Sequence, residues 1–201
     1  PIEAIVLFHK DEMEQNPAAG AVSILRDLIS LQANTTQAAD SELFGLIEKE
    51  IAEREAEGAQ NYSEEPEWIE YIFSRAILSQ DWTAASESVQ LAKRLDTDQA
   101  AGLTYQGRLA IAQQEWSAAR DAFTAAVKIL PTEGRLLALL AQSEVQLGDY
   151  ANAERHYVEA WEIQPNSVLI AQSYAALLVR LGKGPLATKV LQTASRFAPN
   201  N

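Results

Sequence analysis

The sequence predicts an all-α protein made of stacked helix hairpins, and three observations lead there. A pattern returns every 34 residues, with Trp82, Trp116, Tyr150 and Gly184 in register, and a fixed period of that length marks repeated helix pairs. Three residues on come Ala85, Ala119, Ala153 and Ala187, then Val89, Phe123, Tyr157 and Leu191, then Ala92, Ala126, Ala160 and Ala194. Each small, large, small set falls on one helical face. The periods close at Thr97, Pro131, Pro165 and Pro199, so three of the four end at a residue that no helix continues through.

Each period reads as two amphipathic segments around a short polar break. The first gives a helix over Trp68 to Ser79, a cap at Asp81 and a second helix over Trp82 to Leu95. In the third, Arg135 to Leu147 and Tyr150 to Ile163 flank the turn Gly148-Asp149, with Asp149 as N-cap because a side-chain oxygen there satisfies an orphan amide. The fourth starts its second helix at Pro185, which suits a first helical turn. Alanines let the helices approach closely, and the large residue between them is expected to fill the gap in the neighbouring hairpin. A lone hairpin cannot bury both faces, so stability must come from its neighbours.

Residues 1 to 65 do not follow the register. Helices are expected near Ile2 to Glu14, Pro17 to Gln32 and Ser41 to Glu57, with apolar faces at Val22, Leu25, Leu28, Ile29 and at Leu43, Leu46, Ile47, Ile51. This region either caps the stack as degenerate hairpins or forms a separate docking module. The expected organisation is thus 1–65, followed by units 66–99, 100–133, 134–167 and 168–201.

The chain of 201 residues is 47% apolar, enough for a sizeable core. Net charge is −12 and unevenly spread. Residues 1 to 65 hold 14 acidic and 4 basic side chains, a net −10, and the four periods carry −3, 0, −3 and +4. Such an axis can orient partners or neighbouring copies. Cysteine is absent, which excludes disulfides and thiolate metal sites. No apolar run is long enough to span a membrane. The chain opens on Pro1 rather than Met, which suggests a processed or truncated product.

Residues 66 to 201 resemble the tetratricopeptide repeat (TPR) family. The third unit matches at Leu137, Leu140, Ala141, Gly148, Tyr150, Ala153, Tyr157, Ala160 and Pro165. Gln80 and Gln114 stand where the family has a helix-ending glycine, Gly184 replaces the aromatic and Thr97 the proline, so the first junction is expected to be the loosest. The related RNA-reading repeats have a period of 35, and an acidic chain repels phosphates, so nucleic acid is not an expected partner. The resemblance implies a right-handed superhelical solenoid of four TPR units. It also implies a groove lined by the first helices that holds a peptide segment of a partner protein.

The groove residues so implied are Tyr71, Ser74, Tyr105, Arg108, Arg135, Leu139, Gln142, Gln146, Gln172 and Arg180, flanked by Glu67, Glu70, Thr104, Ile111, Ala138, Leu169, Ser173 and Ala176. Tyr71, Tyr105, Arg108 and Leu139 are the expected anchors, since aromatics and Arg give contact area at low entropic cost. The family's chaperone-tail clamp needs lysines and asparagines where this chain has Glu70, Ser74, Tyr105, Arg135 and Leu139. Only Arg135 suits it, and that role is rejected.

No catalytic constellation stands out. His156 is expected to be a surface histidine, and His9 with Asp11 and Glu12 does not converge on a metal. Asp96-Thr97-Asp98 lacks the ligands and glycine of a calcium loop, and neither a phosphate loop nor a nucleophile elbow is present. Asn34-Thr35-Thr36 and Asn61-Tyr62-Ser63 are chance-level glycosylation triplets. The acidic run Glu48 to Glu57 reads as a solvated helix face. The chain is expected to need no cofactor and no metal and to be no enzyme. Its expected role is that of an adaptor or assembly factor. The alternatives are a chaperone-like or regulatory TPR domain of a larger envelope-biogenesis or secretion protein, and a self-assembling scaffold.

Overall fold

In the computed structural model of the chain, which describes residues 10–15, 49, 66–95 and 99–197, every element is helical. A short helix α1 covers Lys10–Gln15. The 34-residue pattern then yields four hairpins: α2 (Pro66–Ser79) with α3 (Trp82–Leu95), α4 (Ala100–Ala112) with α5 (Trp116–Ile129), α6 (Gly134–Gln146) with α7 (Tyr150–Ile163), and α8 (Val168–Arg180) with α9 (Gly184–Phe197). The second helices of the first and third hairpins begin and end where the periodicity puts them. The helices expected at Pro17 to Gln32 and Ser41 to Glu57 lie outside the described residues apart from Lys49, and so do the loop at Thr97, both glycosylation triplets and His9. The chain divides into two compact units, residues 1–95 and 96–201, so the first hairpin belongs to one and the other three to the second.

Local chemistry sets the helix ends. The Asp81 carboxylate accepts from the Ala84 amide at 3.0 Å, and Asp149 accepts from the Asn152 amide at 3.3 Å, as N-caps do. Accepting also from the Asn152 side chain holds the Asp149 carboxyl below the usual range. Ser167 caps α8 through the Ile170 amide. At the tight turn within each hairpin one residue is left-handed: Gln80 (φ 57°), Gln114 (φ 62°), Gly148 (φ 81°) and Gly182 (φ 73°). In the third hairpin the Gly148 amide reaches the Val145 carbonyl at 3.1 Å and the Asp149 amide reaches that of Glu144 at 2.9 Å. That double closure satisfies the last carbonyls of the helix. The same pair of bonds recurs at Gln114 and Glu115 and at Gly182 and Lys183. Two glutamines therefore adopt the conformation that glycine adopts elsewhere.

The alanine, large, alanine stripe is the core. Ala119, Phe123 and Ala126 are fully buried and cluster with Leu136 and Leu140 of the following helix. Ala153 and Tyr157 lie with Ala171, Tyr174 and Ala175 of α8, and the Tyr157 and Tyr174 rings stack with centroids 6.0 Å apart. The large residue thus reaches into the next hairpin, as expected. It also fits its own: a Cβ added to Gly107 on α4 would sit 2.6 Å from the Phe123 ring, a contact that only a glycine permits. Leu191 fills the same slot in the fourth hairpin but is 42% exposed, since among the described residues no helix follows α9.

Candidate peptide-binding face

Within the second unit, α4, α6 and α8 turn one face toward the second helices and leave another open. On α6, Leu136, Leu137, Leu140 and Ala141 are buried, whereas Arg135, Gln142 and Gln146 are exposed. On α8, Ile170, Ala171, Tyr174, Ala175, Leu177 and Leu178 are buried, whereas Leu169, Gln172, Ser173, Ala176, Val179 and Arg180 face solvent. These exposed positions recur at helical spacing, so they form one strip along each helix. Leu139 is half-buried against the Phe123 cluster. On α4, Tyr105 and Arg108 are half-buried, with the Arg108 guanidinium 5.3 Å from the Tyr105 ring centroid. Arg180 lies over Tyr150 at 4.8 Å, a cation–π contact that holds a long side chain across the end of the strip.

The structure differs from the sequence reading at three places. Tyr71 and Ser74, both expected on the groove, are buried: Tyr71 is closed off entirely and stacks on Trp68 at 4.9 Å, and burial drives its hydroxyl pKa upward. The Ser74 hydroxyl donates to Glu70 at 2.9 Å. At 100° per residue both fall on the side of α2 away from Ile69, Phe73 and Ala76, so this helix is buried on two faces. His156, expected at the surface, is also buried, with Nδ1 2.7 Å from the Glu144 carboxylate. Its place in the stripe explains this, because the residues one period away, Ala122 and Val190, are buried too.

Val179 was missed by the sequence reading, and Leu169 was not ranked as an anchor. They are 63% and 75% exposed, more than any other large apolar side chain on the first helices. The signal was present in the sequence, since both fall on the strip defined by Gln172, Ser173 and Ala176. The open face holds no cluster suited to chemistry. Among the described residues no group of three or more His, Cys, Asp or Glu is placed to hold a metal ion, and no helix is long and apolar enough to cross a membrane.

No family model matches the sequence, and no curated protein does. Solved structures do match in shape. One MamA crystal structure superposes with a TM-score of 0.53 at 18% identity, covering 83% of this chain and 96% of that one. The fold is a TPR-type helical repeat. Two further MamA structures agree, each with a TM-score of 0.50 at 14% identity, one covering 98% of this chain and 91% of its own, the other 96% of both. At such identity the likeness speaks for the fold alone.

Proposed function

We propose that this chain is a non-catalytic protein-interaction module, an adaptor or assembly factor that holds a peptide segment of a partner along the open face of its first helices. The observation that carries the reading is the exposure of Leu169 and Val179 on one strip of α8, beside Gln142, Gln146, Gln172 and Arg180. Large apolar side chains left in water among hydrogen-bonding groups provide the shallow, repeated contacts that peptide recognition uses. Tyr105, Arg108, Arg135 and Leu139 extend the same face toward the start of the unit.

The reading is tested by selecting displayed peptides on the full-length chain and measuring their affinity for Leu169→Ser with Val179→Ser. A loss of about 2 kcal/mol is expected, as for removal of a binding anchor. Selected peptides that bind the double variant as well as the parent retire the reading.

Charge favours a second reading, a self-assembling scaffold. Residues 168 to 201 carry four basic side chains and no acidic one, while residues 1 to 65 carry a net −10, and a heterologous contact between copies can use that complementarity. Molecular mass by light scattering at low and at high ionic strength decides it. A mass of one chain under both conditions removes charge-driven assembly.

A further inference from the structure

Charge is sorted between the helix layers of the second unit. The three first helices carry three cations, Arg108, Arg135 and Arg180, and a single carboxylate, Glu144. Glu144 is buried and hydrogen-bonded to His156, so it contributes nothing to the open face. The second helices and turns are mixed in sign and carry ion pairs of this unit: Arg120 with Asp121 at 3.1 Å, Arg155 with Glu159 at 3.3 Å, and Lys183 with Glu154. Among the described residues neither Arg135 nor Arg180 has an ion-pair partner. The nearby Glu133 carboxylate instead accepts from the Arg135 backbone amide at 3.4 Å.

This face is therefore positive within a chain whose net charge is −12. Screening confines such effects to about 8 Å in physiological salt, so a ligand lying on the face feels the local sign rather than the total. The type of cation also matters. All three lysines of the hairpins in this unit, Lys128, Lys183 and Lys189, lie on second helices or turns, and the first helices use arginine alone. A guanidinium takes a carboxylate through two parallel hydrogen bonds, which an ammonium cannot do. On the same exposed strip of α8 as Arg180 lie Leu169 and Val179, ten residues and about 15 Å apart along the helix at 1.5 Å per residue.

We infer that the open face selects an acidic segment of a partner protein, one rich in aspartate and glutamate and punctuated by large apolar residues. The carboxylates meet Arg135 and Arg180, with Arg108 further along, and the apolar residues cover Leu169 and Val179. The inference rests on the proposed role of this face in peptide binding and adds the chemistry of its occupant.

The test uses the full chain and two labelled peptides of glutamate with leucine or of lysine with leucine, matched in length, read by fluorescence anisotropy. For the glutamate peptide, Arg135→Glu with Arg180→Glu weakens binding by about ten-fold or more, because like charges now face each other. The lysine peptide is not weakened by the same variant. Arg135→Lys with Arg180→Lys keeps the charge and recovers part of the loss. Circular dichroism of each variant must match the parent. Undiminished affinity of the Arg-to-Glu variant for the glutamate peptide overturns the acidic preference. If Leu169→Ser with Val179→Ser still weakens binding in that case, the peptide-binding reading survives and only the charge inference falls. If neither variant weakens any peptide, both fall.

Discussion

The third hairpin and its neighbours use the same backbone to solve one packing problem in different ways. Where the third places Glu144 against His156, hydrogen-bonded and buried, the fourth has Leu178 and Val190 in one apolar cluster, and the second has the small pair Ala110 and Ala122. The slot is defined by its position in the register, 34 residues apart each time, and what fills it changes from polar to hydrocarbon to methyl. The repeat therefore fixes helix placement through the alanine stripe and leaves this second interior position open to variation. A second contrast lies one residue on. Tyr157 is 2% exposed because α8 covers it, whereas Leu191 in the equivalent place is 42% exposed.

That second contrast gives the largest expected effect. Truncating Tyr157 to alanine removes a ring held between two hairpins, and large-to-small changes in such cores cost about 3–5 kcal/mol. The ring's environment supports this: it stacks on Tyr174, and burial pushes its hydroxyl pKa up to about 12 against the opposing pull of a hydrogen bond with Ser173. Leu191→Ala, with much of its side chain already in water, costs below about 1 kcal/mol. Urea titrations of the two variants followed by circular dichroism compare them directly. Equal losses would mean that neighbour contact is not what makes the large residue matter.

The Glu144–His156 pair comes next. Glu144→Leu alone leaves the imidazole buried without its acceptor and costs about 2 kcal/mol, the penalty for stranding a buried polar group. Adding His156→Val copies the fourth hairpin and recovers most of that loss, because replacing both members of a buried polar pair by well-fitting hydrocarbon is often neutral or stabilising. A double-mutant cycle in urea measures the coupling. Additive losses in the double variant would show that the slot is not interchangeable between hairpins.

The sequence made the repeat legible because alanine spacing, turn residues and proline stops all repeat with one period, and the helix ends at Leu95 and Ile163 followed from that. The buried pair was not legible. Glutamate and histidine are polar by composition, and only the stripe position of the residues one period away, Ala122 and Val190, shows that His156 must point inward. Tyr71 and Ser74 failed as groove residues for the converse reason. A family position gives a side chain its usual direction, but α2 is buried on two opposite sides, at Ile69, Phe73 and Ala76 on one and at Tyr71 and Ser74 on the other, so its exposed strip is narrower than the pattern implies. Of the expected face, Arg135, Gln142, Gln146, Gln172 and Arg180 are exposed as the register requires. Val179 falls on the same strip of α8 as Gln172, Ser173 and Ala176, so the register alone places it on the open face, although its apolar side chain gives no polar signal of exposure.

The smallest effect concerns the turn within each hairpin and separates the third from the second. Both turns make the same two backbone bonds and both need a left-handed residue, yet one has Gly148 at φ 81° and the other Gln114 at φ 62°. A side chain in this region brings Cβ close to the following carbonyl, at a cost of about 1–2 kcal/mol relative to glycine. Glycine in turn loses more freedom on folding, which offsets part of the gain. Gln114→Gly should therefore stabilise the chain by about 1 kcal/mol, and Gly148→Gln should destabilise it by a similar amount. The space around Gly148 is open, with no atom within 4 Å of an added Cβ, so any loss there reports backbone strain and not a clash. If both substitutions are neutral, the glutamine at position 114 already relieves its strain through its own side chain, and the two turns differ only in composition.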